Sequence, residues 1–128
     1  MCWSGNDDEA HKDRYVGGAT GVISVTSNVA PALMHKLMHG GEDAALDAKL
    51  QPLMNWLFRE PNPIGLNTLC AMTGMANPVF RLPYVPYSKE MREEGVAILG
   101  ELGADNYAHD GEGARVLEDD DFLLVSRY

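Results

Sequence analysis

The stretch Gly18-Ala19-Thr20-Gly21-Val22-Ile23-Ser24-Val25-Thr26-Ser27-Asn28 constrains this chain more than any other. Val22 to Thr26 are β-branched or small, glycines precede the run and Ser27-Asn28 closes it. That pattern predicts a short strand buried on both faces. Asn28 is placed to cap a helix that Pro31 helps to start. A buried strand running into a capped helix is half of a parallel α/β unit, and such sheets carry their chemistry at the carboxyl ends of their strands. One or two such units cannot close a sheet.

The flanking residues supply one more strand and then mostly helix. Met1 to Ser4 is an apolar beginning that breaks at Gly5, as the last residues of a strand would. Asp7, Asp8 and Glu9 suit the first turn of a helix running to about Tyr15, where carboxylates favour the positive dipole end. Gly17-Gly18 stops it, and the strand at about 19–26 completes a strand-helix-strand spacing typical of a parallel crossover. Between 29 and 39, Ala30, Leu33, Met34, Leu37 and Met38 recur at helical spacing until Gly40-Gly41. A helix over about 42–58 repeats Leu46, Leu50, Leu53 and Leu57, with a kink expected near Ala48 because Pro52 removes a donor. Glu60-Pro61-Asn62-Pro63 predicts an extended connection. A further helix from Ile64 stops at Gly74. Val79 to Pro86 holds too many prolines for a central strand and reads as an extended arm. Ser88 caps a last helix, in which Met91, Gly95, Ile98 and Leu102 share a face and Gly103 supplies the stop. Glu118 to Asp121 read as a solvated charge run, and Phe122 to Val125 as a short strand or apolar arm.

Chemistry is scarce in this pattern. A formal net charge of -9 over 128 residues disfavours nucleic acid and anionic membrane surfaces as partners. Cys2 and Cys70 stand in apolar surroundings without CxxC spacing, which fits free thiols in a reducing compartment. No apolar run reaches the ~18 residues of a membrane-spanning helix, and the N-terminus has no basic region followed by an apolar one. His35 and His39 have metal-ligand spacing on a helix, but Lys36 replaces the glutamate that a zincin helix needs, so they read as helix-surface histidines. Ser4 and Ser24 lack a histidine and acid in usable order. The glycines at 17–21 precede a strand instead of joining a strand to a helix, which argues against a phosphate loop. Asp7-Asp8-Glu9 reads as helix-start charge rather than a cation site. Neither metal nor cofactor is expected. Lys12, Lys36, Lys49 and Lys89 all stand in polar runs or on outer helix faces and read as solvated side chains.

Four stretches in order, WSGNDDE at 3–9, GATGVISVTSN at 18–28, LMNWLFREPNPIGLNT at 53–68 and FRLPYVP at 80–86, resemble the dihydrodipicolinate synthase family. The ending DDDFLLVSRY resembles its plant-type form. The resemblance implies an α/β fold: the C-terminal piece of a (β/α)8 TIM barrel, comprising its last two strands, followed by a mainly α-helical C-terminal region. Residues 1–41 would be the end of the barrel and 42–128 the helical region with an extended acidic tail. A complete barrel takes ~250 residues, so the first six strands would lie outside a C-terminal fragment, as a truncated gene model or partial transcript would produce. The implied activity is a lyase reaction of lysine (diaminopimelate) biosynthesis, the Schiff-base condensation of pyruvate with aspartate semialdehyde, in a chloroplast homotetramer. The family's lysine lies on the sixth strand. Its tyrosine-threonine relay, its carboxylate-binding arginine and its lysine-inhibition site also belong to the missing part, and Tyr15, Tyr84 and Tyr87 do not match them.

Two site residues follow from the same resemblance. Ile23 matches the isoleucine whose backbone carbonyl faces the pyruvate adduct, and Gly5 matches a glycine that lets backbone approach the substrate. The competing reading makes Ile23 a core residue and Gly5 a plain turn. Asn6 stands where bacterial relatives more often have aspartate. The chain alone is expected to be inactive, and to aggregate through unpaired strand edges. The alternatives are another pyruvate-dependent aldolase of the superfamily, such as an N-acetylneuraminate lyase, or a non-catalytic helical oligomerisation module.

Overall fold

In a computed structural model that describes residues 1–126, strand β1 (Trp3–Ser4) pairs in parallel with β2 (Gly21–Val22), Trp3 opposite Gly21 and Ser4 opposite Val22. Arg127 and Tyr128, the end of the DDDFLLVSRY stretch, lie outside the described residues. Thr20 N–H donates to the Cys2 carbonyl (2.8 Å) and Ile23 N–H to that of Ser4 (2.9 Å), extending the pairing at both ends. The crossover is a 3-10 turn, Asp7–Glu9, leading into α1 (Ala10–Tyr15). Arg14 locks it, its guanidinium donating to the carbonyls of Met38 (2.9 Å) and Ala19 (3.2 Å).

β2 is shorter than the alternation of Val and Ile predicts. After Val22 the chain leaves the sheet, and Thr26–Asn28 form a 3-10 turn. The expectation of burial on both faces also fails: Val22 and Val25 are half-buried and Ile23 is 75% exposed, because β1 is the only strand beside β2 among the described residues. Asn28 does not cap the next helix. Its side-chain amide donates to the Val25 carbonyl (3.0 Å), and α2 (Pro31–His39) starts at Ala30 with Pro31 in its first turn.

α3 (Ala44–Leu57) is capped by the Asp43 carboxylate, which accepts from Leu46 N–H (2.9 Å), and the helix runs on through Pro52. His11 of α1 reaches the same end, where Nε2 accepts from Asp43 N–H (3.0 Å). The expected extended connection at 60–63 is instead a turn, with Ile64 N–H on the Pro61 carbonyl (3.1 Å) and a cis Asn62–Pro63 bond. α4 (Ile64–Met72) follows. α5 (Lys89–Leu102) starts under the Ser88 hydroxyl, which accepts from Met91 N–H (3.4 Å), and ends at Gly103, whose φ of 94° favours glycine.

Four helices share one core. Met34 and Leu37 of α2, Leu50, Leu53, Trp56 and Leu57 of α3, Leu69 and Met72 of α4, and Leu99 and Leu102 of α5 are all buried together, with Tyr87 among them. Each fully buried side chain of this size contributes about 1.5–3 kcal/mol. Trp56 anchors the centre: its Nε1–H donates to the Met91 carbonyl (2.8 Å), and Tyr87 meets it edge-on at 4.7 Å. The Tyr87 hydroxyl donates to the Trp56 carbonyl (2.9 Å) and accepts from Glu60 N–H (3.1 Å), and burial pushes its pKa up.

The residues after α5 form a strap. Ala108 N–H donates to the Val29 carbonyl (2.7 Å), Asp110 N–H to Thr73 (3.0 Å) and Arg115 N–H to Met72 (3.0 Å). β3 (Val79–Arg81) and β4 (Leu123–Val125) then pair in parallel: β4 falls in the stretch read as a short strand or arm, while β3 falls where only an extended arm was expected. Proline content hid β3, since Pro83 and Pro86 follow the three residues that pair. The acidic run is likewise more than solvated charge. Asp119 accepts from the buried Arg92 (2.5 Å), whose other arm donates to the Tyr87 carbonyl (2.7 Å) and whose guanidinium lies 5.0 Å over the Phe122 ring. Glu118 pairs with Lys89 (2.9 Å).

Candidate functional site at the strand ends

The two predicted site residues stand side by side. Continuing the parallel register by one residue puts Gly5 beside Ile23, at the carboxyl ends of β1 and β2. There is open space at Gly5, where a Cβ would meet nothing within 4 Å. Ile23 projects its side chain into solvent rather than into the core. Trp3, 55% exposed, packs its indole against Gly21, where a Cβ would come within 2.6 Å of the ring, so only glycine admits the ring there.

Side chains below this ledge hold its shape. The Ser4 hydroxyl, buried, donates to Asp13 Oδ2 (2.6 Å). Asp7 carries the larger load. Its Oδ2 accepts from Val25 N–H (3.1 Å), Thr26 N–H (2.7 Å) and Thr26 Oγ1 (2.7 Å), and the residue is 1% exposed. Read in the sequence as one of three equivalent helix-start charges, Asp7 differs from exposed Asp8 and Glu9. The signal was present: Asp7, Ala10 and His11 fall at i, i+3 and i+4 and are the buried face of this segment.

The remaining candidates take structural or surface places. All four lysines are exposed, and Lys89 is engaged with Glu118, which raises its pKa through hydrogen bonding. His35 and His39 face each other with ring centroids 5.0 Å apart on the exposed side of α2. Ser24 Oγ accepts from Ser27 N–H (2.9 Å). Among the described residues no group of three or more His, Cys, Asp or Glu is placed to hold a metal ion.

A parallel β1–α1–β2 unit with backbone exposed at its strand ends, followed by α2 and an appended helical layer, is the closing part of a (β/α)8 barrel enzyme. The chain belongs to the dihydrodipicolinate synthetase family, whose model matches residues 1–102. It is 60% identical over 126 residues to a chloroplastic 4-hydroxy-tetrahydrodipicolinate synthase of Zea mays, covering 98% of this chain and 33% of that protein. A chloroplastic synthase of Nicotiana tabacum is 58% identical over 128 residues, covering 100% of this chain and 35% of its own length. The chain thus spans about a third of these relatives. Among solved structures, a dihydrodipicolinate synthase from Thermotoga maritima superposes with a TM-score of 0.75 at 39% identity, over 80% of this chain and 37% of that one. The synthase from Acinetobacter baumannii, complexed with pyruvate, gives 0.71 at 34% identity over 80% of this chain and 38% of its own.

Proposed function

We propose that this chain forms one wall of the pyruvate site of a 4-hydroxy-tetrahydrodipicolinate synthase, which condenses pyruvate with aspartate semialdehyde through a lysine Schiff base. The observation that carries this reading is that Gly5 and Ile23 directly follow the paired Ser4 and Val22 at the carboxyl ends of two parallel strands, in a chain of this family. Barrel enzymes react at that face. The Ile23 carbonyl faces the adduct, and Gly5 leaves room for the substrate to approach backbone. Neither acts through its side chain. Nucleophile and proton relay come from preceding strands, because every lysine here is exposed and a Schiff-base amine needs a desolvated pocket. In this reading residues 1–41 complete the barrel and 42–128 form the appended region, and the assembly is a plastid homotetramer. The chloroplastic names of the Zea mays and Nicotiana tabacum relatives support the compartment. The apolar surface at Trp3 and Ile23 is where the rest of a barrel would pack.

The test joins the 128-residue chain behind the upstream two thirds of the Zea mays relative. The joined protein is expected to condense the two substrates and to trap pyruvate on borohydride reduction, whereas the 128-residue chain alone does neither. Pyruvate-dependent condensation by the chain alone, or a folded joined protein that traps pyruvate yet never condenses it, would overturn the proposal.

A further inference from the structure

Two ties bracket the site. On the strand side, Ile23 N–H is bonded to the Ser4 carbonyl (2.9 Å). On the far side, three donors from Val25 and Thr26 converge on Asp7 Oδ2. Gly5 and Asn6 lie between the ties on one segment, Ile23 and Ser24 on the other. With the first tie alone, the Ile23 carbonyl would turn with each flexing of the loop that follows. The second tie fixes the loop from its other end, and its two Thr26 bonds are buried, with Asp7 at 1% and Thr26 at 0% exposure, so water does not compete for them.

We infer that Asp7 is a positioning residue for the pyruvate-facing wall: its carboxylate fixes the Ile23 carbonyl relative to Gly5 without touching the substrate. This rests on the functional reading above. A carboxyl oxygen suits the task because a single acceptor atom gathers two amides and a hydroxyl here. Asparagine in the same pose keeps an oxygen for these donors but turns an NH2 toward the place of Oδ1, which is buried without a partner. Alanine removes all three bonds. Catalytic geometry is sensitive to such a change, since a displacement of about 1 Å can cost on the order of 100-fold in rate.

The test has two arms. In the joined protein, Asp7→Ala is expected to speed amide hydrogen exchange at Val25 and Thr26 by about 10-fold or more while Leu53 in α3 keeps its protection, and Asp7→Asn to lie in between. In the joined enzyme, Asp7→Ala is expected to lower kcat at least ~10-fold with pyruvate KM changed less than ~3-fold, at a temperature where circular dichroism shows an intact fold. Asp7→Asn should restore a large part of that loss. Thr26→Val, which removes only the hydroxyl donor, should lower kcat a few-fold, and it serves where Asp7→Ala does not fold. Unchanged exchange or unchanged kcat in Asp7→Ala, or, where that variant does not fold, unchanged kcat in Thr26→Val, would overturn the inference. An inactive wild-type joined enzyme would instead sink the functional reading, and the exchange arm would still decide whether Asp7 holds the two turns.

Discussion

Alanine at Gly95 and at Gly100, two positions of the same helix, should shift stability in opposite directions. Replacing a helix-interior glycine ordinarily stabilises by about 0.5–1 kcal/mol, because alanine loses less backbone freedom on folding. Gly100 should show that gain, since a Cβ there meets nothing within 4 Å. At Gly95 a Cβ would lie 2.7 Å from Cζ2 of Trp56 and 3.0 Å from its Cε2. The indole cannot retreat easily: it is fully buried, and its Nε1–H is held by the Met91 carbonyl on the same helix. Overpacking of this kind costs about 1–3 kcal/mol. Gly95→Ala should therefore be net destabilising by about 1 kcal/mol, and the two variants should differ by about 2 kcal/mol. For a domain of this size each kcal/mol moves Tm by about 3–5 °C, which places the two midpoints about 8 °C apart in a thermal melt followed by far-ultraviolet circular dichroism. Equal midpoints, or a Gly95→Ala variant more stable than wild type, would refute the argument that α5 is glycine there to admit Trp56.

Other expectations are simpler. The Cys70 thiol is half-buried and burial raises its pKa, while Cys2 is exposed; a thiol reagent at neutral pH should label Cys2 at least ~10-fold faster, and equal rates would contradict the burial of Cys70. Hydrogen bonding from the Arg59 guanidinium, which grips both carboxylate oxygens, holds Glu94 below the usual carboxylate range. A folded value below the unfolded one gives stability that is present above the ordinary glutamate range of about 4.3 and lost as pH falls through the lowered value. Glu94→Gln should therefore flatten the acid limb of the stability–pH curve, an effect that salt reduces because both groups are exposed; an acid limb identical to wild type would count against the pair. Phe122 meets Phe80 edge-on at 5.8 Å beneath Arg92, so Phe122→Ala should cost about 1–2 kcal/mol and speed exchange at the Leu82 and Leu123 amides, leaving Leu53 protected.

How much of this was legible depended on whether a residue's partner is near in sequence. The helices were, because Leu46, Leu50, Leu53 and Leu57 repeat at the period that buries one face, and Ser88 and Gly103 mark the two ends of α5 in composition alone. Gly5 and Ile23 were reached through resemblance, and their adjacency then follows from the strand register. The end of β2 was not legible. Val25 and Thr26 have the composition of a strand, yet Asp7, far upstream, takes their amides into a turn. Arg92 and Asp119 were hidden for a related reason: Arg92 lies on the buried face of α5 with Gly95 and Leu99, yet it stands among charged sequence neighbours that mask it, and nothing local says which acid of a run will meet it.

The strap after α5 bears on the order in which the chain can assemble. Contacts between α3 and α4 join neighbours in sequence across a short turn, and α5 docks on both once the longer segment over 73–88 has been made. The bond from Ala108 to Val29 closes a much longer loop, whose entropy must be met before any bond is gained, and the bond from Arg115 to Met72 also waits for residues made after all of these helices. During synthesis the helices can therefore dock as they emerge, while the carbonyls of Val29 and Met72 wait for residues made later. Until then, water or a passing chain fills their place, and a pause or nick in that late stretch would leave a helical layer that is packed but unfastened.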